Sequence, residues 1–217
     1  MSYSHLFQSN GNCDTLIITF ASFELNIAGI PRFEFFNFLN KHFSEYDHSF
    51  FIDKNYCWYN RGVEGCSDSV ESTVLYLNDH IKDYKKVVFM GVSAGGYAAI
   101  LYRSLCKVDG VTISVVAFQP QTDLSYVHER KTSLPHFIVT DWNDIDSNYT
   151  NLKDHMSSDV KYDIVSHRSL NDVLHSWHHT ENINSIQSVC FHNEHWTVCD
   201  LKNNGKMESI INKSIAG

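Results

Sequence analysis

Between residues 85 and 102 the chain reads KKVVFMGVSAGGYAAILY, and Ser93 sits in it with Gly91 and Gly95 two residues to either side, a G-x-S-x-G pattern. The run before Ser93 is apolar and β-branched, and the run after it is alanine-rich. The serine therefore marks a corner between a buried strand and a buried helix. Flanking glycines allow a turn tight enough to hold the serine in a strained conformation, with its hydroxyl above the strand ends. At a helix N-terminus, free N–H groups and the helix dipole favour developing negative charge. A serine so placed can attack a carbonyl carbon, and the Ala94 N–H can donate to the oxyanion that forms. The plainer alternative is a glycine-rich turn whose serine only caps the helix.

Such a hydroxyl needs a neighbour that titrates near neutrality to take its proton, which points to histidine. Cys190, His192, His195 and Cys199 have short spacings that could converge on one metal ion. Zinc ribbons and fingers instead join two ligand pairs across a longer loop, so no metal is expected.

The elements that must position these groups follow from apolar patterning. Strand-like runs recur at 15–21, 48–53, 86–91, 111–118, 161–167 and 185–191. Several are continuously apolar, as strands covered on both faces are. Helical spacing is clearest from Ser69 to Tyr84, where Val70, Val74, Leu77 and Ile81 share a face and Asp68 with Glu71 reads as a capping box. The stretch 31–43 places Pro31 in a first helical turn and carries an aromatic stripe suited to core packing. A last helix is expected over KMESIINKSI. Alternating strands and helices imply an α/β fold whose mostly parallel sheet is covered on both faces. The least patterned region is 119–157, a natural wall for a binding site.

The chain has 217 residues, which suits one domain over residues 1–217. Its net charge is −8 and no lysine/arginine run occurs, which argues against nucleic acid and anionic membranes as partners. The first residues, MSYSHLFQSNGNCD, lack the basic start and apolar core of a secretory signal, and no apolar run of about twenty residues is present to span a bilayer. Cys13, Cys57, Cys66, Cys106, Cys190 and Cys199 follow no framework spacing, so reduced thiols in a cytoplasm are expected.

With the elbow and the strand–helix order in place, the chain resembles the α/β-hydrolase superfamily over most of its length. GVSAGGYAAILYRSL followed by VVAFQPQTDL is similar to a bacterial group of small, lidless hydrolase-like proteins. That group includes proteins of surface-polysaccharide loci, among them capsule O-acetyltransferases. The resemblance implies a single α/β-hydrolase domain of about six or seven strands with little or no lid.

It also implies a triad in the order serine, acid, histidine, with the acid after the next-to-last strand and the histidine after the last. That order makes His195 the base, with His192 its competitor nearer the strand end, and Asp172 the acid. Asp141 and Asp163 remain alternatives, and Asp172 could also be a helix-start carboxylate. A second oxyanion donor is implied in the loop after the first strand, at the N–H of Ser22 or Phe23, although no HGGG occurs there.

The stretch 55–65 concentrates Trp58, Tyr59 and Arg61. It reads equally as a site for a sugar ring or anion and as an ordinary aromatic loop. Together these features predict a serine-dependent acyl hydrolase acting on a small or carbohydrate ester, with no metal or redox cofactor. An O-acetyltransferase using acetyl-CoA and a polysaccharide acceptor is the alternative. Arg61, Lys54 and Arg32 are then the nearest candidates for the CoA phosphates. A non-catalytic binding module on the same fold is the third reading.

Overall fold

The six apolar runs form the parallel strands, and the side chains of β2, β6 and β7 alternate between two helix-covered faces. The structure is a computed structural model, and it describes residues 4–11, 13–23, 26–27, 30–31, 33–125, 141–156, 162–167, 185–189 and 197–217. The strands are β1 (His5–Gln8), β2 (Thr15–Phe20), β3 (Asn26–Ile27), β4 (Ile30–Pro31), β5 (Asp47–Phe51), β6 (Lys86–Val92), β7 (Thr112–Phe118), β8 (Tyr162–His167) and β9 (Ser185–Val189). Seven of them make one sheet in the order β1-β5-β2-β6-β7-β8-β9, and β3 pairs with β4 in a short ribbon. All pairings in the large sheet are parallel except β1 against β5.

The helices are α1 (Phe36–His42), α2 (Val70–Ile81), α3 (Ala94–Leu105), α4 (Thr197–Asn203) and α5 (Lys206–Ala216). Leu16, Ile18, Phe20, Val87, Phe89, Val115 and Ala117 pack with residues of α2 and α3 on one face. Ile17, Val88, Met90, Val116 and Phe118 pack with Phe38 and Leu39 of α1, Leu201 of α4 and Met207, Ile210 and Ile211 of α5 on the other. Every residue of β2 is buried, which is why its sequence reads as continuously apolar rather than alternating. Among the described residues no helix is long and apolar enough to cross a membrane.

Two local expectations are corrected. The capping box of α2 is Ser69 with Ser72, one residue on from Asp68 and Glu71. The Ser69 hydroxyl accepts the Ser72 N–H at 3.1 Å, and Ser72 Oγ accepts the Ser69 N–H at 3.0 Å. Asp68 instead accepts from the Ser72 hydroxyl. Pro31 belongs to β4, and α1 begins five residues later, at Phe36. Strand β1 is an added antiparallel edge, too short for a periodic pattern to reveal.

Candidate active site

The chain runs from β2 outward to β5 and returns to β6 on the other side of β2. The carboxyl ends of β2 and β6 therefore flank the point where the strand order reverses, the usual crevice for a ligand in such sheets. Ser93 lies there, between β6 and α3. Its backbone has φ 52° and ψ −115°, a conformation an L-residue enters only under strain. Two backbone bonds hold it: the Ser93 N–H donates to the Phe118 carbonyl at 2.9 Å, and the Ser93 carbonyl accepts the Tyr97 N–H at 3.0 Å.

The glycines serve by close approach, since the positive φ belongs to the serine. A Cβ on Gly95 would lie 2.0 Å from the Phe20 carbonyl oxygen, and one on Gly91 would lie 2.3 Å from the Gly95 carbonyl. Backbone cannot yield by that much, so the elbow seats α3 directly on the end of β2. The Ser93 hydroxyl makes no cap bond to the first turn of α3. Helix capping is thereby removed as the explanation for the serine.

That seating brings the segment after β2 beside the elbow. Ala21 is still tied to the sheet, its N–H donating to the Phe51 carbonyl at 3.0 Å. The next N–H, that of Ser22, donates to Glu34 Oε2 at 2.9 Å. Ser22 is therefore corrected as an oxyanion donor, because a carboxylate already takes its N–H. Among the described residues the N–H groups of Phe23 and Ala94 bond to nothing, and they remain the available pair.

The 55–65 stretch is packed as a wall. Trp58 and Tyr59 are fully buried, so neither offers an open ring face to a sugar. Tyr59 directs its hydroxyl to the carbonyls of Ala21 and Phe51, at 2.9 and 3.1 Å. The Trp58 indole packs edge-on to Phe23 at 4.8 Å, stacks with Trp142 at 5.5 Å, and donates its N–H to Gln121.

Tyr56, Trp58 and Tyr59 all have positive φ, a cost for non-glycine residues. Buried Asp53 offsets it by accepting the N–H groups of Asn55, Cys57 and Tyr59 at 2.9, 2.8 and 2.9 Å. Burial raises the Asp53 pKa even so, and the backbone donors, with that of Tyr56, oppose the rise. Of Trp58, Tyr59 and Arg61, only Arg61 reaches the surface, where it pairs with Asp144 at 3.0 Å. Lys54 is engaged with Glu64 at 2.7 Å.

Asp172, His192 and His195 lie outside the described residues, as does Arg32. The chain nevertheless places Asp172 after β8 and His195 after β9, the next-to-last and last strands of the sheet. Asp141 is exposed and accepts the N–H and side-chain amide of Asn143 at 3.0 and 2.8 Å, capping its own turn. Asp163 is buried in β8 and accepts the Ser214 hydroxyl at 2.7 Å, which ties α5 to the sheet. Of the residues set around the elbow, Glu34 and Asp53 were missed by the sequence reading. Glu34 carried one available signal, as a lone carboxylate inside the aromatic run RFEFF.

Neither a family model nor a curated protein sequence matches the chain. Solved structures do. The capsule O-acetyltransferase of Neisseria meningitidis serogroup A superposes with a TM-score of 0.64 at 17% identity, covering 96% of this chain and 90% of that one. MenH from S. aureus gives 0.63 at 12% identity, covering 98% of each. A lipase-esterase related protein from Clostridium acetobutylicum gives 0.59 at 15%, covering 97% and 98%. At such identities the likeness is one of architecture, and it makes this chain an α/β-hydrolase fold.

Proposed function

We propose that the protein is a serine-dependent acyl hydrolase of the carboxylesterase type, acting on a small or carbohydrate ester. One observation carries the reading: Ser93 stands at a strained strand-to-helix corner with a hydroxyl that caps nothing. In this account Ser93 Oγ attacks the ester carbonyl while His195 takes its proton. The N–H groups of Ala94 and Phe23 hold the oxyanion, and the tetrahedral adduct collapses as His195 returns the proton to the leaving alcohol. Water then attacks the acyl-serine by the same route in reverse order. Asp172 orients His195, a role that the local capping by Asp141 leaves to it. Cys57 and Cys106 are buried thiols, in keeping with a cytoplasmic setting.

A second reading is favoured by the likeness to the meningococcal capsule O-acetyltransferase. In that reading the acyl-serine of this chain passes its acetyl group to a sugar hydroxyl instead of water, with acetyl-CoA as donor. The engagement of Arg61 and Lys54 in ion pairs leaves fewer free cations for the CoA phosphates, so hydrolysis is preferred. Product partitioning separates the two. Hydrolysis predicts that acetylated sugar is deacetylated, and that any CoA release from acetyl-CoA is independent of added polysaccharide. CoA release that requires the polysaccharide, with acetyl recovered on the sugar, would establish transfer instead.

A further inference from the structure

Glu34 grips both hydrogen-bond donors of Ser22. Oε2 accepts the Ser22 N–H at 2.9 Å and Oε1 accepts the Ser22 hydroxyl at 2.6 Å. The Glu34 carbonyl also accepts from the Thr19 hydroxyl at 3.4 Å, so residue 34 is fastened to β2 through its backbone and to the turn after β2 through its side chain. Ser22 is 7% exposed, and charge-assisted bonds sheltered from water are the strong ones. They act where the sheet stops acting, since Ala21 makes the last bond to β5. One residue further, the Phe23 ring is anchored between Tyr56 and Trp58. The chain at 22–23 is thus held from both ends, beside the Ser93–Gly95 corner that rests on Phe20.

We propose that Glu34 is a positioning residue for the oxyanion hole: it fixes the Ser22 turn so that the Phe23 N–H faces the reacting carbonyl together with that of Ala94. This rests on the acyl-transfer reading above. The hydrogen-bond geometry is the useful property and the charge is not, because a carboxylate near a developing oxyanion repels it. Glutamine can reproduce the geometry. Its carbonyl accepts the Ser22 N–H and its amide donates to the Ser22 hydroxyl, which needs only to rotate.

The test measures kcat and KM on a small activated acetate ester, fluorophosphonate labelling and Tm, for wild type, Glu34→Ala, Glu34→Gln and Ser22→Ala. Loss of one oxyanion donor typically lowers kcat by ~10²–10³-fold. Glu34→Ala is therefore expected to lose ~10²-fold in kcat with KM nearly unchanged. Glu34→Gln should restore kcat to within ~5-fold of wild type, and Ser22→Ala, which keeps the N–H bond, should lose less than ~10-fold. A fully active Glu34→Ala would overturn the proposal, and so would a Gln variant as impaired as Ala, which would assign the effect to charge. If Glu34→Ala does not fold, Glu34→Gln and Ser22→Ala decide alone: the proposal stands only if both stay within those bounds. A wild type that neither turns over nor labels would bring down the acyl-transfer reading itself, and the positioning role with it.

Discussion

Ser93 carries a conformational penalty that its hydroxyl does not repay through packing or capping. A non-glycine residue held at φ 52° and ψ −115° stores of order 1–3 kcal/mol. Glycine tolerates that conformation, whereas alanine does not. Ser93→Gly should therefore be more stable than Ser93→Ala by about 1 kcal/mol net, or ~2–4 °C in Tm, with both variants inactive. Differential scanning calorimetry of the two checks this, and equal melting temperatures would show that the corner is not strained. The same residue shows why part of the site could be read directly. G-x-S-x-G is a local instruction, because the close approaches at Gly91 and Gly95 occur within five residues of chain and against one strand. The Glu34–Ser22 clamp is not local. It joins the loop after β2 to a residue twelve positions on, and no periodicity marks such a pair.

At the scale of elements, the short edge strand β1 is fastened by side chains as much as by its four paired residues. His5 stacks on Phe51 at 4.4 Å, its Nδ1 lies 3.1 Å from the Tyr76 hydroxyl, and its Nε2 lies 2.7 Å from Ser49 Oγ. His80 Nε2 reaches the same Ser49 oxygen at 3.1 Å. Tyr76 donating to His5, His5 to Ser49 and Ser49 to His80 accounts for all three contacts with both rings neutral. Burial, reinforced by His80, lowers the His5 pKa from 6.5 to about 4, and burial lowers that of His80 as well.

Because the folded state resists a proton that the unfolded chain accepts near 6.5, this contribution is intact above that pH. It is lost as pH falls from 6.5 toward about 4. Screened by partial exposure, His5 should account for about 1 kcal/mol, or ~2–4 °C, of the drop in Tm between pH 7 and 5. His5→Gln should show a correspondingly shallower drop, and parallel pH profiles for the two proteins would contradict the assignment. The long parallel strands were legible because burial on both faces writes continuous apolar runs. β1 was not, since an edge strand of four residues draws on distant partners in β5 and α2. Helix α2 was legible to within one residue at its start, where Asp68 and Ser69 are both able caps and only the tertiary fit chooses.

For the whole molecule, the order β1-β5-β2-β6-β7-β8-β9 places the elbow at the strand reversal and sets the residues after β8 and β9 downstream of it. In the chain Asp172 follows β8 and His195 follows β9, and their roles as acid and base rest on the proposed acyl-transfer reading. The fold does not choose the acceptor, because in the proposed reading water and a sugar hydroxyl meet the same acyl-serine. The claim on which everything else rests is that Ser93 is an activated nucleophile. Treating the folded protein with a soluble fluorophosphonate and mapping the adduct by peptide mass spectrometry tests this directly. The account predicts a single adduct, on the peptide containing Ser93, that vanishes in Ser93→Ala. A folded protein that takes no label, or an adduct that persists in Ser93→Ala, would contradict it.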